Sequence, residues 1–200
     1  MKKLVFATNN EHKLSEVRAI LEPDYQIVSL ADLNFNDEIP ETANTLEGNA
    51  YLKARFIHDK FSLDCFADDT GLEIDALGGE PGVFSARYAG NENDASKNMK
   101  KVLDNLGENS NRKACFRTVI ALIISDKTHY FEGEINGGIL NHPRGEAGFG
   151  YDPIFVPEKY LVSFAQLSKD EKNRISHRAL AVKKLVTFLK KEKLKNILLE

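Results

Sequence analysis

The sequence predicts a mixed α/β fold. A short apolar run at Leu4 to Ala7 is followed by helical spacing from Lys13 to Leu21. The middle of the chain is rich in β-favouring residues, and its end carries an amphipathic helical stripe. Helices early and late around a β-rich centre are the pattern of helices packed on a sheet.

Leu4 to Ala7 reads as a strand and Lys13 to Leu21 as a helix, because Leu14, Val17, Ile20 and Leu21 share one helical face. Pro23 and Asp24 end that helix, Ile27 to Leu30 reads as a second short strand, and Asp32 to Thr42 is polar without a period. Thr45 is placed to cap a helix whose apolar positions Leu46, Ala50, Ala54, Ile57 and Phe61 recur every three or four residues, with Lys53 off that stripe. Cys65 to Ala67 reads as a short buried strand running into Asp68 and Asp69, and Val83 to Tyr88 as a strand after a Gly/Pro turn. Asp94 can cap a helix carrying Met99, Val102, Leu103 and Leu106, which Gly107 ends. Lys113 to Ser125 and His129 to Ile139 read as long antiparallel strands around an Asp126-Lys127 hairpin signal. Ser168 with Glu171 forms a capping box, and Leu180, Val182, Leu185, Val186 and Leu189 make the terminal stripe.

The 200 residues contain no internal repeat, low-complexity tract or long linker, so a single domain over residues 1–200 is expected. Lys and Arg number 27 against 30 Asp and Glu, a net charge of −3, which excludes a protein that coats nucleic acid. A small anionic ligand stays compatible, because a few basic side chains converging in one place hold a triphosphate without changing the total. No window is apolar over the ~18 residues of a membrane span, and the N-terminus lacks a signal-peptide core, so a cytoplasmic protein is expected. Cys65 and Cys115 are too few and too differently placed for a disulfide framework or a zinc site.

Chemistry-bearing residues gather at a handful of places, each with a bland alternative. Thr8-Asn9-Asn10-Glu11-His12-Lys13 precedes a helix, where backbone N–H groups, polar side chains and a Lys cation suit a phosphate; a plain capping turn is the alternative. Asp68 and Asp69 follow an apolar strand, where a divalent cation would relieve their repulsion and one carboxylate could activate water; otherwise they begin an Asp-rich turn before Gly71. Glu41, in the unpatterned segment, is a second candidate metal ligand or a solvated loop residue. Gly148-Phe149-Gly150-Tyr151-Asp152-Pro153 offers an aromatic to stack on a base and a carboxylate to accept its ring N–H, or is a tight turn with core aromatics. Lys172, with Ser176-His177-Arg178 opening the last helix, supplies donors for keto or phosphate oxygens, or a solvated helix face.

Taken in this order, the motifs resemble the inosine triphosphate pyrophosphatase family. The resemblance runs over nearly the whole chain, through Leu4 to Asn10 with Lys13, Asn49-Ala50 with Leu52-Lys53-Ala54, Ala67 to Leu72, Gly78-Gly79, Pro81-Gly82, Ser85 to Tyr88, Gly148 to Pro153 and Ser176-His177-Arg178. It implies an elongated, twisted mixed sheet flanked by helices, in two lobes with a central cleft, and a homodimer. The implied reaction is Mg²⁺-dependent hydrolysis of ITP, dITP and XTP between the α and β phosphates, which removes deaminated purines from the nucleotide pool as monophosphate plus pyrophosphate.

The resemblance assigns roles residue by residue. Thr8 to Lys13 and Lys53 grip the triphosphate, Asp69 is proton acceptor and metal ligand with Glu41 as its metal partner, and Asp68 supports them. Thr70 sits beside the substrate, while Phe149, Gly150, Tyr151, Asp152, Lys172, His177 and Arg178 surround base and sugar. The family often has Ser where this chain has Thr70, and Glu where it has Gly48, so no metal role passes to Glu47. The alternatives are a related pyrophosphatase for other modified nucleotides and a nucleotide-binding regulator without turnover.

Overall fold

The computed structural model describes residues 2–22, 24–90 and 92–198, with side chains placed for residues 3–22, 24–90 and 92–192. Among these, the strands are β1 (Lys2–Phe6), β2 (Tyr25–Val28), β3 (Cys65–Ile74), β4 (Pro81–Gly82), β5 (Lys113–Ile124), β6 (Lys127–Ile139) and β7 (Phe155–Pro157). They form a mixed sheet in the order β2-β1-β3-β5-β6-β7, with β4 beside β3. The β1 pairings with β2 and β3 are parallel, whereas β3 with β4 and β6 with β7 are antiparallel. The helices are α1 (Glu11–Leu21), α2 (Leu46–Phe61), α3 (Ala95–Leu106), α4 (Lys169–Ile175) and α5 (His177–Leu198). The α/β class expected from the sequence is the observed one.

By packing, the chain falls into unit one (Met1–Asp69, Val119–Gly133 and Arg178–Glu200) and unit two (Thr70–Thr118 and Glu134–His177). In unit one the sheet buries both faces, because successive side chains of a strand point to opposite sides. Leu4, Phe6, Phe66, Ile120 and Leu122 pack with Leu14, Val17 and Leu21 of α1 and Ala181, Val182, Leu185 and Leu189 of α5. Val5, Ala7, Cys65, Ala67, Ala121 and Ile123 pack with Ala50, Ala54 and Ile57 of α2 and with Leu30 and Phe35. That double burial is why these strands read as continuous apolar runs rather than alternating ones. Unit two has its own core, in which Leu72, Ile74, Val102, Phe116, Tyr151, Phe155 and Phe164 meet.

Caps match the sequence closely: Thr45 Oγ1 accepts the Gly48 N–H, Asp94 caps α3, and Ser168 with Glu171 closes a capping box on α4. Helix α1 ends at Leu21 with Glu22 as its C-cap, and Pro23 lies outside the described residues. Other expectations shift. Strand β2 starts earlier, at Tyr25, and Leu30 leads into a 3₁₀ turn at Ala31–Leu33. Val83 to Tyr88 is not a strand, because i→i+3 bonds from Phe84 N to Pro81 O and from Arg87 N to Phe84 O curl it into turns. The β5–β6 hairpin turns on Ser125 and Asp126, both with positive φ (49° and 59°), so Lys127 already belongs to β6.

Candidate active site

The central correction concerns Asp68 and Asp69. They do not follow a strand or open a turn; they lie inside the ten-residue β3. Strand alternation therefore sends the two carboxylates to opposite faces, and each meets its own cations. Asp68 receives Lys13 Nζ on Oδ1 and Arg178 Nε on Oδ2, both at 3.0 Å. Asp69 receives Lys53 Nζ on Oδ1 and Asn49 Nδ2 on Oδ2, both at 3.2 Å.

The two faces have opposite electrostatic balances. Burial works against an ionised Asp68, but Lys13, Arg178 and Lys53 together outweigh it and hold its pKa below the usual carboxylate range. Burial also raises the Asp69 pKa, with Glu41 and Asp68 adding to it, and Lys53 and Lys13 do not fully compensate. On Lys13, burial and the neighbouring Lys53 and Arg178 prevail over Asp68 and Asp69 and lower its pKa. On Lys53 the carboxylates of Asp69, Glu41 and Asp68 win against burial and raise it.

Lys53 was expected off the apolar stripe of α2, yet it is buried. Steps of three and four from Leu46 through Asn49 and Ala50 bring Lys53 onto the same face, where Glu41 and Asp69 both accept from its ammonium. Thr8 to His12 run exposed to half-buried from the end of β1 into α1, and Asn10 Oδ1 accepts the His12 and Lys13 N–H groups at 3.0 and 3.1 Å. Asn10 is thus the N-cap of α1, and that cap aims Lys13 at Asp68. Arg178, expected beside a base, is fully buried in unit one with its guanidinium on Asp68 and on Glu16 of α1.

Unit two assembles the second group. Asp152 Oδ2 accepts the Phe149 N–H at 2.8 Å and Lys172 Nζ at 2.6 Å. The same ammonium lies 4.8 Å from the centre of the Phe149 ring. Gly148 has a φ of 77°, and a Cβ there would fall 2.1 Å from Asp152 Oδ2, so only glycine admits this carboxylate. Tyr151 is a core residue rather than an exposed platform, with its hydroxyl donating to Ser85 O at 2.8 Å. His177 is buried and stacks on Phe116, ring centres 4.6 Å apart. Thr70 Oγ1 pairs with the buried Thr118 hydroxyl at 2.6 Å.

Asp69 and Glu41 reach one ammonium, so they lie close enough to share a cation. Magnesium takes one or two protein carboxylates and keeps water and phosphate oxygens for the rest, which this pair fits. Among the described residues no group of three or more His, Cys, Asp or Glu could hold a metal by itself. No described helix is long and apolar enough to cross a membrane. Neither cysteine is in a disulfide.

Sequence reasoning gave no role to Glu16, Asn49 or Thr118. The available signal was a polar residue at a position that helical or strand periodicity assigns to the core.

Comparison with known proteins agrees with this architecture. The family model described as Ham1 family matches residues 4–188. The "dITP/XTP pyrophosphatase" of Porphyromonas gingivalis is 56% identical over 190 residues, covering 94% of this chain and 98% of that protein. The protein of the same name from Bacillus subtilis is 47% identical, over 94% of this chain and 98% of the relative. Among solved structures, the Staphylococcus aureus Ham1 protein superposes with a TM-score of 0.87 at 41% identity, covering 96% of this chain and 100% of that one.

Proposed function

Because the chain belongs to the Ham1 family, we propose that it hydrolyses ITP, dITP and XTP to the nucleoside monophosphate and pyrophosphate. The observation that carries this reading is Asp69, a buried carboxylate of raised pKa held beside Glu41 by a shared lysine. A carboxylate so placed accepts the proton of a water that attacks the α-phosphorus, while the bond to the bridging oxygen breaks toward pyrophosphate. Magnesium held by Glu41 and Asp69 would neutralise charge on the phosphates and the leaving group. The α1 N-terminus at Thr8–Lys13, together with Lys53, binds the remaining phosphate charge.

The base falls to unit two's residues. Phe149 supplies a stacking face, and Lys172 and His177 supply donors for the 6-keto oxygen that inosine and xanthosine carry and adenosine lacks. Asp152 holds Lys172 and the Phe149 backbone in place for that task. Arg178 acts through Asp68, whose second oxygen orients Lys13. We also propose a cytoplasmic homodimer; sedimentation of the purified chain tests the dimer, and fractionation of cells the location.

A panel of ITP, dITP, XTP, GTP, ATP and dUTP with Mg²⁺, scored for pyrophosphate against phosphate, tests the reaction. Pyrophosphate from the first three substrates is expected. Release of phosphate, or turnover of ATP as fast as of ITP, sinks the reading. Asp69→Asn should keep the fold and lose ITP turnover by about a thousandfold or more.

A further inference from the structure

Asn49 is completely buried in α2, and the two ends of its amide reach different parts of unit one. Its Oδ1 accepts the Ala43 N–H at 2.9 Å, two residues past Glu41, and its Nδ2 donates to Asp69 Oδ2 at 3.2 Å. One turn further along the helix, Lys53 binds the other Asp69 oxygen and Glu41 itself. The Ala43 N–H orients the amide: once Oδ1 is taken by a donor, the NH₂ end faces the carboxylate. Asparagine is a poor helix-interior residue, and an amide is costly to bury unless both ends are bonded, so packing alone does not explain its presence here.

The neighbouring residue fits the same purpose. A Cβ on Gly48 would stand 2.5 Å from the Ala43 Cβ, closer than real Cβ atoms come. The bare Gly48 is therefore what lets the segment after Glu41 close onto the start of α2.

We propose that Asn49 is a positioning residue that ties the Glu41-bearing segment to Asp69 and so sets the spacing of the two carboxylates, with Gly48 providing the room. This rests on the reading of Glu41 and Asp69 as the metal-holding pair. Lys53 links the same carboxylates, but through a rotatable ammonium on a flexible stem, whereas the Asn49 amide fixes direction at both ends.

The test pairs pyrophosphate release, measured against ITP and Mg²⁺ concentration, with hydrogen exchange of the Ala43 amide in the substrate-free protein. For Asn49→Ala, kcat should fall by about tenfold to a hundredfold while KM for ITP changes by less than about threefold. Half-saturation by Mg²⁺ should need more metal, and the Ala43 amide should exchange at least about tenfold faster. Gly48→Ala reaches the same contact without touching Asn49, and should loosen Ala43 and lower kcat in the same sense. Adding Ala43→Gly to Gly48→Ala removes the 2.5 Å contact and leaves Thr45 Oγ1 at 3.0 Å as the nearest atom, so it should restore both in large part. Folded Asn49→Ala and Gly48→Ala proteins with kcat, metal requirement and Ala43 exchange all within about twofold of wild type would overturn the proposal. Failure of the wild-type protein to release pyrophosphate from ITP would overturn the functional reading, while the exchange measurement would still report on the clamp.

Discussion

At the scale of single residues, Asp68 and Asp69 are adjacent in the chain and opposite in environment. Asp68 compensates Lys13 and the fully buried Arg178. Asp68→Asn therefore takes the paired carboxylate from Lys13 and leaves Arg178 to Glu16 alone, and is expected to cost about 3–5 kcal/mol in urea unfolding. Asp69 carries a raised pKa, so its ionised form is already disfavoured by the fold. Asp69→Asn should change stability by only about 1 kcal/mol while removing turnover. Equal stability of the two variants would contradict this division. The chemical types were legible at this scale, since paired carboxylates, a Lys-bearing βα turn and a Gly-flanked aromatic all stand out in sequence. Their partners were not: Glu16 stands in no motif and Asn49 only in one that carries the resemblance, because their contacts form when distant elements close on them.

Among the elements, the last turn of α2 is tied to the β5–β6 turn. His58 Nδ1 lies 2.8 Å from Leu63 O and Nε2 lies 3.0 Å from Asp126 Oδ1, so both ring nitrogens face acceptors and only the imidazolium satisfies both. Ser125 N donates to Asp64 Oδ1 at 3.1 Å beside it. The hydrogen bond to Asp126 raises the His58 pKa most, Leu63 O adds to it, and burial and Arg55 oppose them. A raised folded-state pKa stabilises the protein fully below the unfolded value of about 6.5, and that contribution disappears as pH rises through the folded value. Asp126→Asn should accordingly lower the melting temperature near pH 6 and leave it unchanged near pH 9. A pH-independent effect would count against the imidazolium. The hairpin itself was visible in the sequence, but its turn moved to Ser125–Asp126 because both residues accept positive φ. The Val83–Tyr88 segment differs from the strand its sequence predicts because its apolar residues serve turns and a 3₁₀ helix, which short-range alternation does not distinguish from a strand.

Over the whole molecule, 27 basic and 30 acidic residues leave a net charge of −3. The cations of the candidate site each have a local carboxylate partner, with Lys13 and Arg178 on Asp68, Lys53 on Asp69 and Glu41, and Lys172 on Asp152. A polyanion surface does not follow from them. The protein should pass through a heparin column at about 0.15 M salt, where exposed charges are screened beyond roughly 8 Å. Retention there would show a basic patch that the charge distribution does not account for.

The order of motifs along the chain was enough to indicate the α/β class, the caps of α2, α3 and α4, and the kind of chemistry, because these depend on local spacing and residue type. Tertiary structure decided what each charged residue faces. Alternation within β3 separates Asp68 from Asp69, helical periodicity carries Lys53 and Asn49 inward, and Arg178 is fixed by Glu16, 162 positions away in sequence. Spacing fixes which side of an element a residue occupies, but the partner waiting on that side is set by where the other elements pack.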